Sequence, residues 1–323
     1  MKKDEYYQLL RLGYLRRVLR EREERSSRKP ALRGGNSSAM FGTRVIGLNP
    51  KEAVLRYLGH EMPPSFDTYL MFDAGYANED LHSALLKEAG ATFKCEEEIP
   101  VSWKVTVLDD NEEPVEFDVT GRPDRGMMVG EKVITVIEEK QIASSWKTKT
   151  LSHWGEANPK DENVVQNAHY AWQLDYANGI LCYTSRAWHQ LKTPRNKLID
   201  GDHRAILQAG DWTFGVKPFV SVYDLTWDGD TLLFEGKKTV VTGERIKEYY
   251  EYIAHCITLK IIPQVHYSDI WGKPKTKSKV EAYYEWKDAP EDDFDTWTNY
   301  VAATCKAAWQ EIEDELKEYE DGH

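Results

Sequence analysis

The feature that most constrains the fold is the run Val133-Ile-Thr-Val-Ile137, which is followed at once by Glu138-Glu139-Lys140. β-Branched and apolar residues on both faces are typical of a strand that is covered on both sides. Because alternate side chains of a strand share a face, Glu138 and Lys140 point one way and Glu139 points the other. The sequence therefore predicts a central strand with an acid and a lysine at its tip.

The surrounding patterns predict an α/β core with a mixed sheet flanked by helices. Apolar residues alternate with polar ones over residues 101–107, which is typical of a half-buried strand. The other predicted strands are 115–121, 180–184 and a hairpin of 219–225 with 231–234; the predicted helices are 6–24, 50–58, 68–89, 164–178, 242–256 and 309–319.

Changes in composition predict three regions. Residues 1–45 form a basic helical arm and a linker, residues 46–200 form the core, and residues 201–323 form a C-terminal hairpin and helices packed on that core, ending in an acidic tail. Residues 26–38 contain Pro30 and the pair Gly34-Gly35, as flexible linkers often do.

Charge is distributed unevenly along the chain. The 42 Lys and Arg against 54 Asp and Glu give a net charge of −12, which by itself argues against a polyanionic partner. Between Lys2 and Arg33, however, eleven basic residues face five acids, whereas from Lys287 onward twelve acids face three lysines. We interpret the acidic tail as a solvated face, with nucleic-acid mimicry or partner docking as alternatives.

Several classes of protein lack support in the sequence. No stretch approaches the roughly 18 apolar residues of a membrane span, and the start has no apolar signal-peptide segment, so we expect a cytoplasmic protein. P-loop, zincin and serine-hydrolase motifs are absent, so a helicase motor would have to be another chain. The cysteines are far apart and are interpreted as plain core residues: Cys95, Cys182, Cys256 and Cys305.

The segment Thr120-Gly-Arg-Pro-Asp124 precedes Glu138 by a short loop and strand. A hairpin between them would bring the Asp124 carboxylate beside Glu138, and paired carboxylates suit Mg²⁺ or Mn²⁺. Hydrolysis of a phosphodiester needs such a metal and a second cation near the attacking water, which Lys140 would supply. The alternative is that these residues are strand-end and turn charges, but their joint placement favours a site.

The motifs Gly121-x-x-Asp124 and Glu138-x-Lys140 resemble the signature of the PD-(D/E)xK nucleases. Two further motifs, in the order that the family shows, are similar to its RecB-like and λ-exonuclease-like branch: Gly75-Tyr-Ala-Asn-Glu79 upstream, and Gln166-Asn-Ala-His-Tyr170 before a strand that ends at Arg186. The resemblance covers residues 75–186 and implies a restriction-endonuclease-like core.

The resemblance also implies residue roles. Asp124, Glu138 and the backbone carbonyl of Glu139 would be metal ligands, Glu79 would complete the site, and Lys140 would position or help deprotonate the attacking water. Mg²⁺ or Mn²⁺ would be the cofactor.

In the family, the residues of the helical QxxxY motif orient the active site and touch the DNA backbone, which implies these roles for Gln166 and Tyr170. Taken alone, Tyr170 is better explained as a core aromatic residue and Glu79 as a surface acid; the order of the motifs shifts that balance. His82 could reach the same site, although a surface or hydrogen-bonded buried histidine is the simpler interpretation.

Further DNA contacts are predicted in the loop that contains Trp146, Lys147 and Lys149, where cations and aromatic rings alternate. A second basic run comprises Lys273, Lys275, Lys277 and Lys279. Some relatives hold an iron–sulfur cluster through four cysteines; the corresponding segments here contain none, so no cluster is predicted.

Together these patterns predict a Mg²⁺-dependent deoxyribonuclease, most simply an exonuclease in recombination, repair or genome processing, including that of a phage. DNA would be its partner, with a helicase or a single-strand annealing protein as candidate protein partners. Two alternatives stay open: a DNA-binding or recombination-assembly protein that no longer cuts, and a structure- or site-specific endonuclease of the same superfamily. Oligomeric state, strand preference and polarity are not encoded in these motifs.

Overall fold

The computed structural model describes residues 3–27, 32–33, 46, 49–142, 161–185, 220–265, 267–271 and 289–321. The helices are α1 (Lys3–Ser26), α2 (Pro50–Tyr57), α3 (Phe66–Glu88), α4 (Asp161–Gln173), α5 (Gly243–Thr258), α6 (Tyr267–Trp271) and α7 (Phe294–Asp321). The strands are β1 (Leu32–Arg33), β2 (Phe93–Cys95), β3 (Val101–Leu108), β4 (Pro114–Gly121), β5 (Arg125–Val129), β6 (Lys132–Ile142), β7 (Asn178–Ser185), β8 (Val220–Asp228), β9 (Thr231–Phe234) and β10 (Lys237–Thr242).

The larger sheet is mixed and has seven strands in the order β10-β9-β8-β7-β6-β5-β2. Strands β6 and β7 run parallel, and the other neighbours are antiparallel. Strand β6 is paired on both edges, with four strands of the sheet on one side of it and two on the other. The predicted central strand is therefore confirmed. The C-terminal hairpin, β8 and β9, belongs to this same sheet rather than lying on it.

A smaller sheet has the order β1-β4-β3 and contains the predicted hairpin of β3 and β4. Its turn is held by Asp109, whose carboxylate accepts hydrogen bonds from the backbone N–H groups of Asn111 and Glu113. The chain leaves this sheet at the end of β4 and enters the larger one at Arg125. Asp124 therefore lies in the corner between two sheets.

Helix α4 packs closely on the parallel pair β6 and β7. A Cβ atom on Gly179 of β7 would lie 2.0 Å from Oδ1 of Asn167, so only glycine allows this approach. The amide Nδ2 of Asn167 donates to the backbone carbonyl of Ile180 at 3.0 Å. Because its side-chain amide has this hydrogen-bond partner, Asn167 can be buried between α4 and the sheet.

Helix α5 covers β3 and the end of β4, and its apolar face reaches the main core. Ile246, Tyr250 and Ile253 are completely buried there, and the ring of Tyr250 meets that of Trp103 edge-on at 5.6 Å. Each such side chain contributes roughly 1.5–3 kcal/mol by leaving water. Side-chain burial therefore joins the smaller sheet to the larger one.

The N-terminal arm and the acidic tail pack against each other. Ion pairs join Arg11 to Glu315, Arg16 to Glu320 and Arg22 to Glu313. Between α1, α7 and the start of α3 lies a second apolar cluster: Tyr14, Leu15, Val18, Tyr69 and Trp309. The acids Glu313, Glu315 and Glu320 of the tail keep side-chain exposures of 40%, 30% and 48% and at the same time pair with the basic arm. The tail is therefore a largely solvated face that also contacts the N-terminal helix.

Four strands (β1, β2, β5 and β10) and the short helix α6 were not predicted, and two helices have bounds other than those expected. Strand β1 lies within the predicted linker, residues 26–38. Strands β2, β5 and β10 are short or lack a β-branched alternation; β5, for example, reads Arg-Gly-Met-Met-Val. Helix α4 stops at Gln173 because Asp175 and Tyr176 adopt left-handed φ values of 61° and 54°. Helix α7 begins at Phe294, well before residue 309. The carboxylate of Asp293 accepts a hydrogen bond from the backbone N–H of Thr296, and Phe294 and Trp297 bury the first turns.

The prediction that the cysteines are core residues is confirmed for three of the four. None of the four forms a disulfide; Cys182, Cys256 and Cys305 are buried, while Cys95 is half-buried. In the described ranges, none of the helices is long and apolar enough to cross a membrane.

Candidate active site

Strand β6 brings Glu138 and Lys140 together on one face, as the strand period predicted. The ammonium group of Lys140 donates to Oε1 of Glu138. Glu138 is completely buried, and Lys140 is 8% exposed. Removing two charges from water is costly unless they pair, so each of these residues stabilises the other in the sheet.

Asp124 meets the same part of β6 from the corner between the sheets. Its Oδ2 accepts a hydrogen bond from the backbone N–H of Glu139 at 2.5 Å. The register of β5 on β6, which pairs Arg125 with Ile137, sets this contact. Burial raises the pKa of Asp124, and the charge of Lys140 and the bond from Glu139 act in the opposite direction.

Helix α3 contributes Glu79 to this group. Burial, and next the negative charge of Asp124, raise the pKa of Glu79 to about 8, while the positive charge of Lys140 lowers it. At neutral pH the Glu79 carboxyl is therefore mostly protonated. Glu79, Asp124, Glu138 and Lys140, which are spread over sixty residues of sequence, thus lie close enough to influence each other's charge.

The donor chemistry of this group matches a hard divalent cation. Carboxylate and carbonyl oxygens are the ligands that Mg²⁺ and Mn²⁺ prefer. The carboxylates are buried and repel one another, and Glu79 therefore keeps its proton. A cation that replaces this proton stabilises the group. Within the described ranges, no three His, Cys, Asp or Glu side chains form a ready-made metal cage, and Glu138 is directed toward Lys140.

The opposite face of β6 carries the side chain of Glu139. The guanidinium of Arg125 and the Nδ1 atom of His82 both approach Oε1 of Glu139, at 2.9 Å and 3.0 Å. The Nε2 atom of His82 lies 3.2 Å from Oγ1 of Thr184. His82 is therefore a hydrogen-bonded, mostly buried residue on the far side of the strand, as the simpler interpretation held.

Gln166 and Tyr170 lie one turn apart on α4, behind the Glu138 face. The Nε2 group of Gln166 donates to the hydroxyl of Tyr170 at 3.5 Å, and both side chains are completely buried. Burial, followed by the nearby charge of Glu138, raises the pKa of Tyr170 well above its ordinary value. This placement suits orientation of Glu138; contact of these two residues with DNA stays a prediction.

Sequence reasoning missed two residues of this region. Arg125 follows Asp124 directly and binds Glu139, but a lone arginine after the motif carries no recognisable signal. Glu96, in a single 3₁₀ turn (Glu96–Glu98), has its pKa raised by burial and then by the charge of Asp124. The acidic run at 96–98, close to the predicted strand at 101, was the available signal for Glu96.

The predicted DNA-contacting residues Trp146, Lys147 and Lys149 lie outside the described residues, as do Arg186 and the basic run at 273–279.

Comparison with known proteins adds little. No family model matches the chain, and no curated protein matches it. A solved structure titled "Crystal structure of SSO0001" has a TM-score of 0.42 and 13% sequence identity, covering 79% of this chain and 86% of that one. A likeness at this level carries no argument, so the α/β assignment rests on the strands and helices described above.

Proposed function

We propose that the protein is a Mg²⁺-dependent deoxyribonuclease of the PD-(D/E)xK type that acts as an exonuclease in recombination, repair or genome processing. The observation that carries the proposal is that acids and a lysine meet at the end of β6. Lys140 pairs with Glu138 and Asp124 accepts from the backbone N–H of Glu139, and the charges of Asp124 and Lys140 act on the pKa of Glu79. A helix, a corner between sheets and a central strand each contribute to this group, and three of its members are carboxylates. A protein gains nothing in stability from gathering buried acids without a cation.

Asp124, Glu138, Glu79 and the backbone carbonyl of Glu139 are the proposed ligands of Mg²⁺ or Mn²⁺. When bound, the metal would polarise a phosphoryl oxygen and acidify a water molecule. The corner position of Asp124 keeps its carboxylate against residue 139, since the hydrogen bond from the Glu139 N–H fixes one of its oxygens. The chain thus holds two of its proposed ligands at a fixed separation.

Lys140 is proposed to position the attacking water through its ammonium group, and it could help deprotonate that water only after giving up its own proton to a neighbouring carboxylate or to solvent. Its ammonium group is fixed by Glu138 rather than by solvent, so little side-chain freedom has to be lost when a substrate arrives. Gln166 and Tyr170 support the position of Glu138 from the helix behind it. DNA is the proposed partner, and Trp146, Lys147 and Lys149 are the proposed contacts to its backbone and bases.

The test is digestion of linear and closed circular DNA with and without Mg²⁺. Wild-type protein is expected to digest linear DNA only when Mg²⁺ is present, giving 5′-phosphorylated products, and Asp124→Ala is expected to reduce the rate by roughly 100-fold or more. Asp292→Ala, an exposed aspartate far along the chain, is the matched control and should digest like wild type. Equal activity in wild type and Asp124→Ala would overturn the site.

The same experiment distinguishes the two alternatives. Cutting of closed circles would replace the exonuclease by an endonuclease of the same superfamily. Salt-dependent DNA binding without any Mg²⁺-dependent cutting would indicate a protein that binds or assembles on DNA without cleaving it.

A further inference from the structure

Arg125 is an almost completely buried arginine, 2% exposed, that ties together two of the elements carrying the site. We propose that Arg125 is a positioning residue that fixes Glu79 next to Asp124 by clamping helix α3 to strand β6. This inference rests on the proposed metal site, because it concerns how one of its ligands is held in place.

One side of the clamp is a two-point ion pair with β6. The Nε and Nη2 atoms of Arg125 donate to Oε1 and Oε2 of Glu139 at 2.9 Å and 3.0 Å. Such a pair fixes the plane of the guanidinium as well as its distance. Asp124 accepts a hydrogen bond from the backbone N–H of the same Glu139. Two consecutive residues therefore hold residue 139: Asp124 binds its main chain and Arg125 binds its side chain.

The other side of the clamp is helix α3. The Nη2 group donates to the backbone carbonyl of Glu79 itself, and Nη1 donates to the hydroxyl of Ser83. Residues 79 and 83 are one helical turn apart and so share a face. Arg125 therefore sets the height and the rotation of the helix at the residue that carries the proposed ligand.

Two leucines in this part of α3 face solvent, since Leu81 and Leu85 are 52% and 58% exposed. These two side chains therefore do not supply the apolar packing that usually anchors a helix. The guanidinium carbon of Arg125 also lies 5.8 Å from the ring centre of Phe93, so an aromatic ring of β2 packs near the same group. His82 of the same helix contacts Glu139 and Thr184. Polar contacts from Arg125 and His82 therefore connect this part of α3 to the sheet, and of these two residues it is Arg125 that binds residue 79 itself.

Lysine cannot replace this arginine, since a single ammonium group does not reach a carboxylate in two places, a carbonyl and a hydroxyl at once. Arg125→Lys keeps the positive charge and is therefore the informative variant. Loss of a residue that orients a metal ligand typically weakens metal affinity by about 10-fold to 100-fold. Ser83→Ala, which removes one contact and keeps the ion pair with Glu139, should weaken it by a few-fold.

The experiment is titration of the full chain with Mn²⁺, followed by the electron paramagnetic resonance of the free ion, in parallel with thermal unfolding. We expect about tenfold weaker binding or more in Arg125→Lys and wild-type binding in Arg11→Lys, the matched control that alters a similar two-point ion pair with Glu315 far from the site. A structural role alone would lower the melting temperature and leave Mn²⁺ affinity unchanged in the folded protein.

Two outcomes would overturn the inference in distinguishable ways. If Asp124→Ala and Glu79→Gln lose Mn²⁺ while Arg125→Lys binds it like wild type, the clamp does not position the ligand. If all of these variants bind like wild type, the metal site itself is wrong and the inference falls with it. Should Arg125→Lys fail to fold, Ser83→Ala decides, and unchanged Mn²⁺ binding in that variant overturns the proposal.

Discussion

A Cβ atom on Gly121 would lie 2.4 Å from Cε1 of Tyr170. The ring of Tyr170 therefore packs directly on the backbone at the end of β4, three residues before Asp124. This contact joins helix α4 to the corner in which Asp124 lies, and it explains the glycine of the motif Gly121-x-x-Asp124.

The first prediction concerns this contact. Gly121→Ala should destabilise the protein by about 1–3 kcal/mol, the usual cost of forcing an extra methyl group into a packed core, because the ring of Tyr170 has to move. Urea unfolding would measure it. Gly13→Ala, at a position in α1 where a Cβ atom meets nothing within 4 Å, should be neutral or stabilising by a few tenths to about 1 kcal/mol. Equal stability of both variants would contradict the packing argument.

The second prediction concerns the pH dependence of stability in the metal-free protein. The pKa of Glu79 is about 8 in the folded state and near 4.5 ordinarily, so between these values the unfolded chain loses a proton that the folded protein keeps. The contribution of Glu79 is therefore fully present below about pH 4.5 and is lost as the pH rises toward 8.

Glu79→Gln has no such proton, and between pH 5 and pH 8.5 it should lose less stability than wild type does, by at least about 1.4 kcal/mol, the equivalent of one pKa unit. Unfolding in the presence of a chelator would measure the difference. Glu88→Gln, an exposed glutamate on the same helix, is the control and should follow wild type. Parallel pH profiles of wild type and Glu79→Gln would show that Glu79 is ionised in the folded state.

The third prediction links the metal to that proton. Because Glu79 is mostly protonated at neutral pH, binding of Mg²⁺ or Mn²⁺ should release a proton, and affinity should rise with pH up to about 8. Calorimetric titration in two buffers of different ionisation enthalpy would count the protons. Glu79→Gln should release fewer, and an identical count in both proteins would contradict the role of Glu79 as a ligand.

The fourth prediction concerns the ion pair between Arg11 and Glu315, whose side chains are 21% and 30% exposed. Glu315→Arg places two cations together, Arg11→Glu places two acids together, and each single change should destabilise the protein by about 1 kcal/mol. The exchange Arg11→Glu with Glu315→Arg should recover most of that loss. If the double variant is no more stable than the sum of its single changes, the two residues do not interact in solution.

The parts of this molecule that are predictable from sequence are those fixed by local periodicity. Strand β6 follows from its β-branched run, and the shared face of Glu138 and Lys140 follows from the strand period. The approach of Asp124 to the end of β6 follows from the predicted hairpin, although its carboxylate binds the backbone N–H of Glu139 rather than lying only beside the predicted Glu138. In these cases the local sequence pattern directly determines which residues lie next to each other in the structure.

The remaining contacts depend on tertiary packing that one sequence does not record. Nothing near Arg125 indicates that it binds Glu79 and Ser83, which precede it by more than forty residues. The pairing of the basic arm with the acidic tail has the same origin, because charge runs indicate a sign and not a partner. Strand β5 escaped prediction because it is held by its neighbours β2 and β6 rather than by its own composition.

The pairing of α1 with α7 also determines when the folded protein is completed during synthesis. Arg11 and Glu315 are 304 positions apart, which a ribosome covers in roughly 15 to 60 seconds. Every strand of the seven-stranded sheet is made before α7, so the sheet has its full sequence while Leu15 and Val18 still lack the surface that buries them. Because the start of α3 packs in that same cluster, the helix that carries Glu79 acquires its support at both ends only when the last helix has been made.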